Sequence, residues 1–574
     1  MTSIVDIVRQ HAHIQPSKVA ATFLSARGQE TDQHTYAELD TISQAIAAKL
    51  QSLTDVGQRA LLLYPASLDF IRGFMGCQYA GVVAVPVSMP QQGAQLERVE
   101  HVIKDAGISV ILTTSQLSEQ ISQWRDSLNT THSIHVIATD TIAVEQAERW
   151  QAFSPQPEDI TFLQYTSGST GNPKGVVVSH ANLLHNSQLI CERFGHTKDT
   201  PIASWLPFYH DMGLIGYILQ ACYVGTHFIM MAPNSFIKRP LQWLKTVDTY
   251  RVYNTGGPNF AYEHCLNKIT PEQIAGLDLS SWRIATNGAE PVRHETMEKF
   301  YQRFKDAGFS YDTFNPCYGM AETTLYVSGH NPEGKIRHIT LDAQALEAGH
   351  VKTSDGQGEQ LVSVSCGYFD GQQVAIICPQ TGHILAEDQV GEICVQGGSV
   401  AQGYWGNLQA TEEAFTQSED DKFVWLKTGD LGFINQGELF VTGRLKDLIL
   451  INGRNIYPQD IEFHIKACDA NFGKCFGAAF SVAAEHSEEI VLIQEVDNQV
   501  RDEQVLAQLC EKIRDELSRT FNAPVHEIVL IKRGTIDRTT SGKIQRKKNA
   551  QQWRDGTLTV LHRWSAQTYL NQVA

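Results

Sequence analysis

The sequence lacks long apolar runs and paired cysteines. Across its 574 residues no stretch reaches the roughly eighteen consecutive apolar residues of a transmembrane helix, and the start, MTSIVDIVRQHAHIQP, has neither the basic nor the apolar region of a signal peptide. The eleven cysteines are scattered singly between Cys77 and Cys510, without the spacing of a zinc or redox site. These absences predict a protein without a membrane span and favour the reducing cytoplasm.

Basic residues are also in the minority. The chain carries 46 Lys and Arg against 63 Asp and Glu, for a net charge of −17, which argues against nonspecific binding to nucleic acid or to an anionic membrane. One segment differs, because residues 532–548 contain seven basic side chains and a single acid, Asp537. A solvated surface and a docking face for an acidic partner are both compatible with this segment.

Three common catalytic signatures are missing. The sequence has no GxSxG motif of a hydrolase and no HHxxxDG motif of an acyltransferase, since His210 and Asp211 are adjacent. The loop YTSGSTGNPKGVVVSH at residues 165–180 is not a Walker A loop either, because Lys174 follows a proline and precedes a glycine. The P-loop NTPases are therefore excluded.

The order of predicted elements indicates a layered α/β fold. Residues 59–90 predict a buried strand, an amphipathic helix and a second buried strand, and the same alternation returns around residues 160, 175 and 284. After Gly403 short strands and glycine turns predict a small β-rich subdomain, and a smaller α+β unit follows from about residue 447. We therefore predict a large N-terminal domain at residues 1–443, a hinge at 444–447 and a C-terminal domain at 448–574, with functional sites at the carboxyl ends of strands.

The loop at residues 166–175 has the composition of an anion site. Glycines allow backbone N–H groups to turn toward an anion, hydroxyls donate hydrogen bonds, and a lysine adds positive charge. From these residues alone, a phosphate loop and a simple turn between strands are equally supported. The full spelling resembles the signature loop of the adenylate-forming enzymes, and this resemblance implies that ATP binds at Thr166, Ser167, Gly168, Ser169, Thr170 and Lys174.

Two further segments resemble the adenine site of the same superfamily. NGAEPV, at residues 287–292, is similar to the turn that borders adenine, and CYGMAETT, at residues 317–324, is similar to the segment whose tyrosine, Tyr318, stacks on adenine. An aromatic face and a carboxylate on one segment can serve base and metal together. The resemblance implies Mg²⁺ at Glu322 and nucleotide contacts from Asn287, Gly288, Ala289, Glu290, Tyr318, Gly319, Met320 and Ala321.

Three more segments complete the implied site. KTGDLG supplies Asp430 for the ribose hydroxyls, and GRLKD supplies Arg444 for a second ribose contact and Lys446 as the hinge of a mobile C-terminal domain. WLPFYHDMGLIG places His210 beside the acyl group, although a lone histidine is often structural. TTSGKIQRKK supplies Lys543, which matches the adenylating lysine of the superfamily. A point cation can neutralise the α-phosphate as a carboxylate attacks, whereas the alternative is an ordinary surface lysine.

Within the superfamily the chain resembles the fatty acyl-AMP ligases. From Glu322 to Cys366 it advances 44 positions, a longer connection than acyl-CoA ligases have. Residues from about 335 to 365 take the place of an insertion that restrains the C-terminal domain in this group, although a tolerated surface loop is the alternative. Leu450 stands where CoA-using relatives carry a lysine. Two pairs near the expected acyl pocket depart from the usual spelling and leave the acyl chain length open: Phe208 with Tyr209, and Thr255 with Gly256.

The resemblance implies a cytoplasmic enzyme that uses ATP and Mg²⁺ to convert a fatty acid into an acyl-adenylate, with release of pyrophosphate. The acyl group would then pass to the phosphopantetheine of an acyl carrier protein on a separate chain, in polyketide, nonribosomal peptide or lipid biosynthesis. A long- or medium-chain fatty acyl-CoA synthetase is the first alternative. A noncatalytic nucleotide-binding scaffold is the second, and nucleic acid is not an expected partner of any of the three.

Overall fold

A computed structural model of the protein describes residues 2–90, 94–128, 133–166, 173–330, 334–356, 358–417, 424–451, 454–483, 488–521, 523–539 and 542–566. The helices before residue 445 are α1 Ile4–Ile14, α2 Tyr36–Gln51, α3 Asp69–Ala80, α4 Ala94–Ala106, α5 Ser115–Ser127, α6 His180–Phe194, α7 Asp211–Gly213, α8 Gln220–Val224, α9 Pro233–Lys238, α10 Leu241–Tyr250, α11 Asn259–Lys268, α12 Pro271–Ile274, α13 His294–Phe304, α14 Ala343–Glu347 and α15 Leu408–Ala414. The strands are β1 Val19–Leu24, β2 Glu30–Thr35, β3 Arg59–Leu62, β4 Val83–Pro86, β5 Val110–Thr113, β6 His135–Ala138, β7 Ile160–Tyr165, β8 Gly175–Ser179, β9 Ile202–Ser204, β10 Phe228–Met231, β11 Asn254–Gly257, β12 Ile284–Asn287, β13 Phe314–Pro316, β14 Tyr318–Gly319, β15 Tyr326–Ser328, β16 His338–Asp342, β17 Gln360–Val364, β18 Gln373–Ile377, β19 Gly391–Gln396, β20 Phe415–Gln417, β21 Val424–Asn435 and β22 Glu438–Arg444.

Two mainly parallel sheets form the centre of the first 330 residues. The seven-stranded sheet has the order β13-β12-β11-β9-β10-β1-β2, and the six-stranded sheet has the order β6-β5-β3-β4-β7-β8. Side chains from both sheets and from α2 and α3 share one buried cluster, which includes Ile46, Phe74, Phe162 and Ile229. Helices therefore pack between the sheets, and the predicted layered α/β architecture is confirmed.

The carboxyl ends of several strands lead into the candidate site. β7 ends at Tyr165, directly before the phosphate loop, and β9 ends at Ser204, shortly before His210. β12 ends at Asn287 and β13 ends at Pro316, next to the two adenine segments. Because β9, β11, β12 and β13 are parallel neighbours, their carboxyl ends meet at one edge of the sheet.

Residues from about 335 to 365, the expected insertion, fold into a compact unit. β16 and β17 are antiparallel partners over their whole length, and α14 follows β16 directly. Leu341 and Leu346 of this unit are buried in one cluster with Phe433 and Phe440 of the β-rich sheet and with Tyr457, which lies beyond the predicted hinge. The insertion is thus packed against both sides of the hinge.

The chain after residue 445 has its own strands and helices. The strands are β23 Ile449–Ile451, β24 Arg454–Ile456, β25 Gly477–Ala483, β26 Glu488–Val496, β27 Val525–Lys532 and β28 Val560–Ser565, and the helices are α16 Pro458–Cys468, α17 Glu503–Phe521 and α18 Arg546–Arg554. β25, β26, β27 and β28 form a four-stranded sheet in that order, and β23 pairs separately with β24. α17 packs on this sheet through residues at helical spacing, which are Leu506, Leu509, Cys510, Ile513, Leu517 and Phe521. The division at residues 444–447 remains a prediction. Within the described ranges, no helix is both long and apolar enough to cross a bilayer.

Candidate active site

Lys543 reaches the cleft of the N-terminal part of the chain. The residue as a whole is exposed, yet the surrounding protein removes part of the hydration of its ammonium group, and this desolvation together with the charge of Arg444 lowers its pKa. The carboxylates of Asp211, Asp430 and Glu290 act in the opposite direction. The segment that carries Lys543 also lies close to the N-terminal part of the chain. A Cβ atom added at Gly542 would be 3.8 Å from the Phe260 ring. The structure therefore brings Lys543 together with the residues predicted to bind nucleotide.

Asp430 is the centre of the predicted ribose site. The Tyr318 hydroxyl donates to Asp430 Oδ2 at 2.8 Å, and Arg444 Nε donates to Oδ1 at 2.8 Å. Asp430 is 7% exposed, so both bonds form where water competes poorly. Burial and the Asp430 charge raise the pKa of Tyr318, while the same carboxylate raises the pKa of Arg444. Three residues predicted from separate motifs are thus joined by direct hydrogen bonds.

Glu322, the predicted metal ligand, is buried and bonded to a tyrosine that the sequence analysis missed. The Tyr404 hydroxyl donates to Glu322 Oε1 at 2.8 Å, and burial raises the pKa of Glu322 despite this bond. The ring of the same tyrosine lies 4.8 Å from Lys174 Nζ, within range of a cation–π interaction. Tyr404 therefore connects the predicted metal ligand to the lysine of the phosphate loop.

Tyr404 reaches this position because its segment runs beside β8. Gly403 accepts from Val177 N at 2.9 Å, and Trp405 N donates to Gly175 O at 2.8 Å. Residues more than two hundred positions apart are therefore backbone neighbours. No local pattern around Tyr404 indicates this pairing, which is why the sequence did not reveal it.

The structure describes the predicted phosphate loop only at its two ends. Ser167, Gly168, Ser169 and Thr170 lie outside the described residues. Thr166 N donates to Lys174 O at 3.1 Å and so closes the hairpin of β7 and β8. Arg98 Nη2 donates to Thr166 O at 3.2 Å. Arg98 is a second cation at this loop that sequence reasoning did not identify.

The predicted adenine turn has a strained and crowded backbone. A Cβ at Gly288 would lie 2.7 Å from Cys317 O, and Ala289 has a φ of +66°, in the left-handed region. Glu290 accepts from Phe260 N at 2.5 Å, and burial raises its pKa to about 7 although Lys543 and Lys466 lower it. Asn287 is fully buried, and its side-chain amide has no hydrogen-bond partner among the described residues.

Crowding extends to the segment that carries Tyr318. A Cβ at Gly319 would overlap the carbonyl oxygen of Leu325, so only glycine fits there. Met320 and Ala321 follow directly and lead into the short helix Ala321–Thr323 that carries Glu322. The backbone therefore fixes the distance between the predicted adenine-stacking ring and the predicted metal ligand.

His210 lies at the start of α7, on the other side of the cleft. Burial lowers its pKa to about 4, and the charges of Lys543 and Arg98 lower it further against the effect of Asp211. The imidazole is therefore neutral near pH 7. A small pocket of about 30 Å³ adjoins it, lined in part by Arg98, Val99 and Tyr209. A neutral histidine and a neighbouring cation suit a carboxylate substrate.

Among the remaining predicted residues, Lys446 lies in the short helix Leu445–Asp447 between β22 and β23, and its side chain is exposed. Asp447 beside it accepts from Arg546 Nη1 at 3.1 Å. Arg546 belongs to the same C-terminal segment as Lys543, so Asp447 is tied to the C-terminal unit. This arrangement is compatible with a pivot at Lys446, which nonetheless stays a prediction.

Comparisons with known proteins identify the family. Residues 8–405 match the AMP-binding enzyme family, and residues 446–563 match the AMP domain of the Disco-interacting protein 2-like family. The chain is 42% identical over 570 residues to the medium-chain-fatty-acid–[acyl-carrier-protein] ligase JamA of Moorena producens, covering 97% of this chain and 96% of JamA. It is 33% identical over 602 residues to the ligase of the same description, TtuA, of Teredinibacter turnerae, covering 96% and 94%.

A solved structure agrees over almost the whole chain. The fatty acyl-adenylate ligase from L. pneumophila, in complex with acyl adenylate and pyrophosphate, is 41% identical, has a TM-score of 0.76 and covers 98% of both chains. Such agreement in sequence and in fold spans the large domain, the insertion and the C-terminal unit. The chain therefore belongs to the AMP-binding, adenylate-forming enzymes and, within them, to the fatty acyl-AMP ligases.

Proposed function

We propose that this fatty acyl-AMP ligase activates a medium-chain fatty acid and passes it to the phosphopantetheine of an acyl carrier protein on a separate chain. The observation that carries the proposal is the position of Lys543 beside Asp430, Arg444 and His210. The named relatives JamA and TtuA supply the chain-length class and the carrier protein as acceptor. All eleven cysteines are free, which fits the reducing cytoplasm.

The first half-reaction uses the cations on both sides of the cleft. A carboxylate oxygen of the fatty acid attacks the α-phosphorus of ATP, and the bond to the bridging oxygen of the β-phosphate breaks, so that pyrophosphate leaves. Lys174 and the phosphate loop hold the departing phosphates, whereas Lys543 neutralises the charge that develops at the α-phosphate. Asp430, fixed by Tyr318 and Arg444, anchors the ribose.

Mg²⁺ fits the residues present. The described residues contain no cluster of three or more possible metal ligands, and Mg²⁺ commonly uses one or two carboxylates together with substrate phosphates. Glu322 supplies such a carboxylate, with Oε1 bonded to Tyr404. The ion would neutralise charge on the phosphates, and it would be held by Glu322 on the protein side.

The contacts of the insertion support the carrier protein rather than free CoA as the acceptor. Arg454 Nε pairs with Glu347 Oε2 at 2.6 Å, and the Glu347 side chain is only 12% exposed. Arg454 Nη1 also donates to Phe521 O at 3.0 Å in the C-terminal unit. The insertion is therefore tied to the C-terminal unit by an ion pair and by the cluster around Leu346. Both contacts resist rotation of the C-terminal unit, a restraint that a docked carrier protein can offset with its binding energy and that the small CoA molecule can offset less.

The test is mass spectrometry of the products from a panel of fatty acids with ATP, in the presence of CoA or of holo-carrier protein. We expect acyl-adenylate in every case with medium-chain acids, acylated carrier with the protein acceptor, and little acyl-CoA. Lys543→Ala should reduce acyl-adenylate formation strongly, to a small residual rate that can still be measured. Acyl-CoA as the main product would instead establish the acyl-CoA synthetase.

The role of the insertion needs its own variants. Glu347→Ala and a deletion of residues 349–362 should each increase acyl-CoA formation in an enzyme that still makes acyl-adenylate. Lys352→Ala serves as the matched control, because its ion pair with Asp342 stays inside the insertion. No gain of CoA ligation in active variants would contradict a restraining role.

A further inference from the structure

Helix α16 of the C-terminal unit has two distinct faces. Ile461 and Ile465 are buried in the core of that unit. The residues at positions 459, 460, 463 and 466 repeat with helical spacing on another face. This second face contacts the N-terminal part of the chain, and its contacts are polar, as expected of an interface that opens and closes.

Arg293 makes three contacts with this face. Its Nη1 donates to Asp460 Oδ1 at 3.2 Å, its Nη2 donates to Gln459 O at 3.2 Å, and its guanidinium carbon lies 4.5 Å from the centre of the Phe463 ring. The side chains of Arg293 and Asp460 are each 18% exposed. A fixed fork that binds an anion, a carbonyl and an aromatic ring is specific for arginine.

A second ion pair lies nearly two helical turns further along α16. Lys466 Nζ is 3.1 Å from Glu263 Oε2 on α11. Glu263 also accepts from Asn259 Nδ2 at 3.2 Å, and Asn259 Oδ1 accepts from Arg293 N at 3.1 Å. The two anchors are therefore connected by hydrogen bonds within the N-terminal part, close in sequence to the turn at residues 287–290.

α16 is also joined to the segment that carries Lys543. Arg546 binds Glu462 of α16 through two bonds of 2.7 Å, from Nε to Oε1 and from Nη2 to Oε2. Glu462 is buried, so this bidentate pair is shielded from water. Arg546 follows Lys543 by three positions. A constraint on the position of α16 is thus a constraint on the position of Lys543.

We propose that Arg293, supported by the Glu263–Lys466 pair, is a positioning residue that clamps α16 and so holds Lys543 in the cleft during acyl-adenylate formation. The inference rests on the proposed role of Lys543. Arg293 touches neither the reacting atoms nor Lys543 and acts only through the orientation of the C-terminal unit. The clamp must open before that unit can rotate, so it favours the first half-reaction over the second.

The test separates the two half-reactions in the full-length enzyme. Arg293→Met should slow single-turnover pyrophosphate release by about tenfold or more. Loss of an ion pair this enclosed shifts the equilibrium between the present and the rotated orientation of the C-terminal unit by at least that factor. The KM for ATP should stay within about twofold, since the nucleotide contacts remain. Transfer of the acyl group from added acyl-adenylate to holo-carrier protein should be unchanged or faster. Lys299→Met is the matched control, because its ion pair with Glu295 stays within α13.

Two double variants exclude a merely structural role. Arg293→Met should add no further loss to Lys543→Ala, since both act through the same ammonium group. Arg293→Asp combined with Asp460→Arg should recover most of the adenylation that Arg293→Asp alone loses. Equal losses in both half-reactions, an additive loss with Lys543→Ala, or full adenylation in Arg293→Met would each overturn the clamp. Full adenylation by Lys543→Ala alone would instead overturn the proposed function of Lys543.

Discussion

Replacing Tyr404 with phenylalanine removes a single oxygen atom from the candidate site. The aromatic ring stays, so the contact with Lys174 at 4.8 Å is preserved. What disappears is the hydrogen bond of 2.8 Å to Glu322 Oε1. Glu322 is 8% exposed, so little water is at hand to replace the lost donor.

The loss makes the charged form of Glu322 more costly. Burial already raises the pKa of Glu322, and the Tyr404 hydroxyl is the largest influence that lowers it. Removing that hydroxyl raises the pKa further, so protons compete more strongly with Mg²⁺ as the pH falls. A hydrogen bond to a charged group contributes about 1.5–3 kcal/mol, which corresponds to roughly a tenfold to hundredfold change in affinity. We expect the Mg²⁺ concentration for half-maximal activity to rise about tenfold at pH 6.

The measurement is the initial rate of pyrophosphate release as a function of Mg²⁺ between pH 6 and pH 8.5. The difference between Tyr404→Phe and the unchanged enzyme should be greatest at low pH and decrease as pH rises, because Glu322 is then ionised in both. Tyr250→Phe is the control, since it removes a similar bond of 2.6 Å to Glu30, far from the cleft. An unchanged Mg²⁺ dependence at pH 6 would refute the reasoning.

Three further predictions follow from other contacts in the cleft. Asp430→Asn removes the negative charge that pairs with Arg444 and that is predicted to accept hydrogen bonds from the ribose. It should weaken ATP binding by about tenfold or more in calorimetry. Because burial raises the pKa of Glu290 to about 7 from 4.5, its contribution to the free energy of unfolding is present below pH 4.5 and is lost as pH rises through 7. Glu290→Gln should remove this dependence, worth up to about 3 kcal/mol, in denaturation curves at pH 5 and pH 8. Gly319→Ala should destabilise the protein by roughly 3 kcal/mol or more, because its Cβ would overlap Leu325 O.

Much of the fold could be predicted because it depends on local patterns. The two buried strands and the helix predicted within residues 59–90 appear as β3, β4 and α3, although α3 is buried on nearly every side instead of amphipathic. Helix α17 is equally accessible from the sequence, because its buried residues recur at helical spacing. The internal structure of the insertion could not be predicted, since β16 and β17 are short and pair across seventeen intervening residues.

The candidate site shows the same distinction between local and distant relationships. The motifs that contain Asn287 and Tyr318 lie at the ends of strands. Their location in the site could be predicted because the carboxyl ends of parallel strands converge. Tyr404, Arg98 and Arg293 were missed, because each acquires its role from partners far away in sequence. Tyr404 and Glu322, for example, are 82 positions apart.

The hydrogen bonds that already surround Asp430 set a limit on which sugars it can recognise. A carboxylate offers about four acceptor positions, two on each oxygen. Tyr318 uses one on Oδ2, and Arg444 uses one on Oδ1. One acceptor therefore remains on each oxygen, which matches the two neighbouring hydroxyls of a ribonucleotide. A deoxynucleotide would leave one of them unfilled in a place where water is scarce, so the predicted ribose contact of Asp430 also predicts that the site discriminates against deoxynucleotides.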